Sequence, residues 1–386
     1  MKFFSFSWLQ RWLLLSLIVC FATIWACSPG ANQEIVIGAI VPLTGEVSLT
    51  SGRPTLKGIE LAAQEVNDAG GLIIKGKPYP VILKVADNED DPNTAAAVAT
   101  QLINQDDVVA LVGIPLSRNA IPVAKVAEEA AIPMISSKST NPETTAQKQY
   151  VFRSTFTDTF QAEVIAKLVK EELQLQRAAV LYDVASEYNK YLAESFQTAF
   201  EALGGEIVAF ETYVTGDRLF TAQLETIQAA QPDVLFLPNY PVEVLDQAQQ
   251  VQELGLDVTL IGADAWTGFG NFSDPSLTGS LYTSDWSEDL DNDQTPIFIA
   301  AYRQQYDEAP TSAAALSYDA TQLLFQAIRD QENFEPAMIR EGLAQIRDYP
   351  GVTGSISYGN GGDPRKDAAV LRVEDGQGVF FRLVRP

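Results

Sequence analysis

The stretch Ile132-Pro133-Met134-Ile135 is apolar and strand-like, and it breaks abruptly into Ser136, Ser137, Lys138, Ser139 and Thr140 before Asn141-Pro142. Hydroxyls packed this densely after an apolar run suit a small anion. The same change of character recurs. "VVALVG" is followed by Ile114-Pro115-Leu116-Ser117, "AAVLYD" by Tyr188, "DVLFLP" by Asn239-Tyr240, and "VTLIG" by Asp264 and Trp266. Ser117 would open a helix, where unpaired N–H groups and the helix dipole favour an anion. With Ser139 and Thr140 it would suit a carboxylate. Asp264, flanked by aromatic rings, would suit an ammonium, aided by cation–π attraction. A carboxylate and an ammonium held a few ångströms apart describe an amino acid zwitterion, whose capture needs no general base. Taken singly, Ser117 could be a helix cap, the Ser/Thr run a solvated loop, the tyrosines packing and Asp264 a turn cap. Their recurrence at successive strand ends argues for a shared site.

Other chemistries are excluded by residue type. The chain has no histidine, which removes Ser-His-Asp and Cys-His catalysis and the commonest zinc ligand. Its two cysteines, Cys20 and Cys27, cannot build a disulfide framework or a metal site. "DNEDDPNTAAAV" begins like a calcium loop but lacks the central glycine and carries Val98 where the bidentate glutamate belongs. No phosphate-cradling glycine motif and no G-x-S-x-G elbow is present. A formal net charge of −24 is the opposite of a nucleic-acid footprint. A non-enzymatic binding protein without cofactor or metal is expected.

The elements that would position these residues alternate. Near-continuous apolar strands and amphipathic helices follow one another through two tandem units, the signature of mostly parallel sheets flanked by helices. The two units share a design, with no repeat at the level of residues. Residues 295–347 are mostly helical, and the chain ends on short strands with a hairpin at Asp375-Gly376. The expected architecture is α/β and two-lobed. One lobe takes 35–154 plus about 286–366, the other 155–285 plus about 367–386, and several crossovers form a hinge. In open parallel sheets ligands bind beyond the carboxyl ends of the strands, which here face the cleft. Residues 1–26 read as a signal peptide. Lys2 and Arg11 precede an apolar core from Trp12 to Ala26, a span of roughly 22 Å as a helix against about 30 Å of hydrocarbon. Ile24-Trp25-Ala26-Cys27 resembles a bacterial lipobox, making Cys27 the lipidated residue and 27–34 a tether.

In order and spacing, "IGAIVPLTG", "GIELAAQEVNDAGG", "DNEDDPNTAAAVATQLI", "IPMISSKSTNP", "VFRSTFTD", "LFLPNY", "GADAW" and "SYDAT" resemble the bacterial type I periplasmic solute-binding proteins of ABC transporters, branched-chain (Leu/Ile/Val-type) group. The resemblance spans about 35–384. It implies a periplasmic-binding-protein-like fold of type I and a monomer, lipid-anchored in the cell envelope, that delivers an amino acid to a permease with ATPase subunits. It places Ser117, Ser139 and Thr140 on carboxylate-binding positions, with Lys138 contributing backbone and its side chain facing solvent. Tyr188 falls near a position that closes over the ligand. Tyr240 and Asp264 match second-lobe positions, Asp264 standing where some members hold the ammonium with a glutamate. The 43–52 loop carries small polar residues where some members place an aromatic, so the side-chain preference stays open. Relatives bind branched-chain or other neutral amino acids, and the alternative is an amide, urea or aromatic acid, bound for transport or sensing.

Overall fold

Strands buried on both faces must be apolar at every position, and such runs form the central strands of the two sheets of the computed structural model, which describes residues 34–385, while most edge strands are partly exposed. The signal segment and Cys27 lie outside the described residues. In the first half of the chain the strands are β1 (Ile35–Val41), β2 (Leu72–Ile74), β3 (Lys77–Tyr79), β4 (Val81–Asp87), β5 (Ala110–Gly113), β6 (Met134–Ser136) and β7 (Val151–Arg153). All but β2 and β3 form a parallel sheet in the order β4-β1-β5-β6-β7. The next strands are β8 (Arg177–Asp183), β9 (Glu206–Tyr213), β10 (Val234–Leu237), β11 (Thr259–Gly262) and β12 (Leu281–Ser284). A small three-stranded sheet follows, β13 (Tyr349–Gly351), β14 (Gly354–Tyr358) and β15 (Pro364–Arg365), and then β16 (Ala368–Glu374) and β17 (Gln377–Val384). The second large sheet runs β17-β16-β12-β11-β10-β8-β9, parallel from β9 to β12 and antiparallel across β16 and β17.

Helices cover both faces: α1 (Gly52–Asp68), α2 (Pro92–Gln105), α3 (Ser117–Ala130), α4 (Asp158–Lys167), α5 (Glu187–Ala202), α6 (Thr221–Ala230), α7 (Pro241–Glu253), α8 (Gln294–Tyr306), α9 (Ser312–Gln331) and α10 (Pro336–Gln345). The period-two alternation of strands divides each sheet between two cores. In β1, Ile37 joins Ile59, Leu324 and Ile328 on one side, while Ile40 joins Leu102, Leu111 and Val123 on the other. In β10, Val234 and Phe236 pack with Phe196, whereas Leu235 and Leu237 pack with Leu224, Val244 and Trp266.

Local signals behave as the sequence suggests. Asp91 caps α2 by accepting the Thr94 N–H at 2.8 Å, with Pro92 in the first turn. Asp375 and Gly376 both have positive φ, 48° and 77°, as the tight turn between β16 and β17 requires. Pro80, without an N–H to donate, separates β3 from β4. Helix α4 ends its α-helical part at Lys167 and continues as a wider π turn through Glu172. Among the described residues no helix is long and apolar enough to cross a membrane.

Candidate functional site

The carboxyl ends of both sheets face one cavity of ≈ 320 Å³, lined by Ser117, Lys138, Thr140, Tyr188, Tyr240 and Asp264 among others. Each arrives there for a local reason. Ser117 is the first residue of α3, one step after Leu116 in extended conformation, so it sits where the helix N–H groups are unpaired. Thr140 follows β6, and its carbonyl accepts the Asp158 N–H at 2.8 Å, joining the loop to the start of α4. Tyr188 lies in the first turn of α5 and donates its hydroxyl to Asp264 Oδ1 at 2.8 Å. Its ring packs against Tyr240 at 5.4 Å between centroids. Gln161 of α4 fixes Asp264 twice: its Nε2 donates to Oδ1 at 3.0 Å, and its Oε1 accepts the Asp264 backbone N–H at 2.8 Å. Burial pushes the Tyr188 phenol well up, and the adjacent Asp264 adds to this, so it stays a donor.

Lys138 does not face solvent as expected. Its ammonium reaches across the cleft to Asp264 Oδ2 at 3.1 Å and to Asp285 Oδ2 at 2.6 Å. Burial alone would lower its pKa, but Asp285 and Asp264 raise it, keeping it charged. Asp285 follows β12, where the chain leaves the second sheet, and its Oδ2 also accepts Thr155 Oγ1 at 3.4 Å. Asp285 Oδ1 is buried without a partner. Behind Thr140, burial and the neighbouring Asp264 hold the Asp158 carboxyl well above the usual range.

Two expected site residues lie off the cavity. Ser139 is one hydrogen bond removed: its hydroxyl donates to Ser117 Oγ at 2.9 Å and meets Thr144 Oγ1 at 2.7 Å, so it orients Ser117. Trp266 is fully buried, donates Nε1 to Leu237 O at 3.1 Å and packs beside Phe269 and Tyr282. It fills the second-sheet core because Gly262 leaves room for its ring: a Cβ there would lie 2.1 Å from the indole. The cation beside an aromatic face is instead Arg118, 5.2 Å from the Tyr240 ring and paired with Asp90 through Nε at 2.8 Å and Nη2 at 2.5 Å. Sequence reasoning missed Gln161, Asp285, Arg118 and Asp90. Arg118 alone carried a signal, lying next to Ser117 at the helix start. Among the described residues, no group of His, Cys, Asp or Glu is arranged to hold a metal ion.

The arrangement offers the hydroxyls of Ser117, at a helix N-terminus, and Thr140 on one wall and a doubly anchored carboxylate on the other. Comparison with known proteins fits this layout. The family model for periplasmic binding proteins matches residues 34–377. A Leu/Ile/Val-binding protein homolog of Brucella melitensis is 28% identical over 355 residues, 91% of this chain and 94% of its own. Among solved structures, leucine-binding LivK of Thermotoga maritima superposes with a TM-score of 0.84 at 28% identity, covering 91% of this chain and 99% of its own. Branched-chain amino acid-binding LivJ of Streptococcus pneumoniae, in complex with isoleucine, gives 0.83 at 30% identity, covering 92% and 100%.

Proposed function

The chain belongs to the periplasmic binding protein family, and from that premise we propose that it captures a small amino acid between its lobes and delivers it to an ABC permease. The observation that carries this reading is the pairing, in one cavity, of Ser117 at a helix N-terminus and Thr140 in the loop after β6 with Asp264 across the cleft. The charges support a zwitterion. Asp264 and Asp285 bring two negative charges and Lys138 one positive, so an ammonium completes the balance. The carboxylate goes to Ser117, Thr140 and the first N–H groups of α3. The relatives named for leucine, isoleucine and valine support the ligand class.

Groups from both sheets meet the ligand only when the lobes are together, so binding draws the population closed. Lipidation at Cys27 would keep the protein at the membrane surface, beside the permease and its ATPase subunits. The test is titration calorimetry of the purified protein against a panel of amino acids. Asp264→Ala should weaken amino acid binding at least about 100-fold, the cost of removing one partner from a buried charge pair, while circular dichroism stays unchanged. Unaltered affinity in that variant would overturn the ammonium assignment.

A further inference from the structure

Two carboxylates share one side-chain ammonium at the cavity wall. Lys138 Nζ stands 3.1 Å from Asp264 Oδ2 and 2.6 Å from Asp285 Oδ2. Lys138 and Asp264 line the cavity, whereas the Asp285 side chain is fully buried behind them, so the shorter bond goes to the carboxylate outside the lining. Asp285 is held from the crossing between the sheets, where its Oδ2 also accepts Thr155 Oγ1 at 3.4 Å. Its Oδ1 is buried without a partner. A carboxylate so poorly solvated depends on Lys138 for its counter-charge and pulls on it accordingly. The other charges nearby are engaged elsewhere. Lys366 donates to the Thr353 carbonyl at 2.6 Å and is influenced more by Asp319 than by Asp285. Asp158 is held toward its protonated form by burial. Lys138 paired with Asp264 alone would cancel the Asp264 charge inside the protein. Shared with Asp285, it offsets only part of that charge, and the two carboxylates keep one unit of negative charge for an ammonium.

We propose that Asp285 is a positioning residue for amino acid recognition: it anchors Lys138 away from full pairing with Asp264 and so keeps the Asp264 carboxylate available to the ligand's ammonium. The inference rests on the assignment of Asp264 to that ammonium. Asp285 does not reach the ligand. It acts through Lys138, so its effect on affinity exists only while Lys138 carries its amine. That condition separates it from a residue that merely supports the fold.

The test is a double-mutant cycle read by calorimetry with leucine, or with the tightest-binding amino acid of the panel where leucine is not bound. Asp285→Asn keeps the shape and an oxygen for Thr155 while removing the charge. It should weaken amino acid binding about tenfold or more, because Lys138 then pairs with Asp264 alone. Lys138→Met/Asp285→Asn leaves one carboxylate for one ammonium, and should bind at least about fivefold tighter than Asp285→Asn. Compared with Lys138→Met, the double variant should differ less than about threefold in affinity yet melt higher, since it no longer buries the Asp285 charge unpaired. This last comparison decides the matter by itself if Asp285→Asn folds poorly. Wild-type affinity in Asp285→Asn, or a double variant no tighter than that single one, overturns the role of Asp285 and leaves the amino acid reading standing. A tenfold difference between Lys138→Met and the double variant does the same. If no amino acid of the panel binds wild type, the underlying reading falls instead.

Discussion

At the scale of single residues, the site depends on carboxyl groups whose ionisation is set by burial. Asp158 is the clearest case. It is fully buried, close to Asp264, and one of its oxygens has no partner. Its folded pKa lies above the unfolded 3.8. The stability it contributes is therefore fully present below that value and is lost as pH rises through the folded pKa. Asp158→Asn, which cannot ionise, should melt higher than wild type at pH 7, and the gain should vanish as pH falls below 3.8; thermal denaturation across pH 3–8 reads this out. That Ser117, Thr140, Tyr188, Tyr240 and Asp264 line one cavity was legible because each comes a few residues after a strand, and a parallel sheet sends such residues to one edge. Gln161 and Asp285 were not. A glutamine within a helix reads as surface, and an aspartate after β12 acquires its meaning only from a lysine far away in sequence. Trp266 misled for a related reason: its position after β11 is a site position, but the side chain turns inward over Gly262.

At the scale of elements, the path of the chain was readable wherever a local signal exists: the cap at Asp91, the turn at Asp375-Gly376, the apolar strands. The packing of distant elements was not. Helix α9 comes late in sequence yet lies against α1, sharing a core with β1 through Leu324 and Ile328. The approach is so close that a Cβ on Gly58 would stand 2.2 Å from the Ala314 carbonyl oxygen and 2.3 Å from Ser317 Oγ. Nothing in the sequence around Gly58 announces this, since its neighbours read as an ordinary amphipathic helix. Gly58→Val should force the two helices apart and cost about 1–3 kcal/mol, as overpacking of close contacts does. Urea denaturation should show a lower midpoint. Because α9 also brings Thr311 and Ala313 to the cavity, ligand affinity should fall with it, in contrast to a substitution on the solvent face of α1.

At the scale of the whole molecule, two sheets share one polypeptide that crosses between them around Thr155, Asp285 and Lys366. Lys366 is buried, with its pKa lowered to about 8 because burial outweighs the nearby Asp319 and Asp285. Between about 8 and 10.5 the unfolded chain holds a proton that the folded chain has released, so this residue makes stability rise with pH across that window. Wild type should accordingly gain on Lys366→Met between pH 8 and pH 10, as measured by chemical denaturation. A comparison that stays flat would place the lysine's charge elsewhere. The second sheet has a further property of this scale. Its strand β12 has β11 on one side, and its other neighbour is supplied only by residues 368–374, far along the chain after the helices that cover the first sheet. A chain cut short before Ala368 would leave β12 as an open edge, a half-built sheet offered to proteases rather than a smaller version of the same protein.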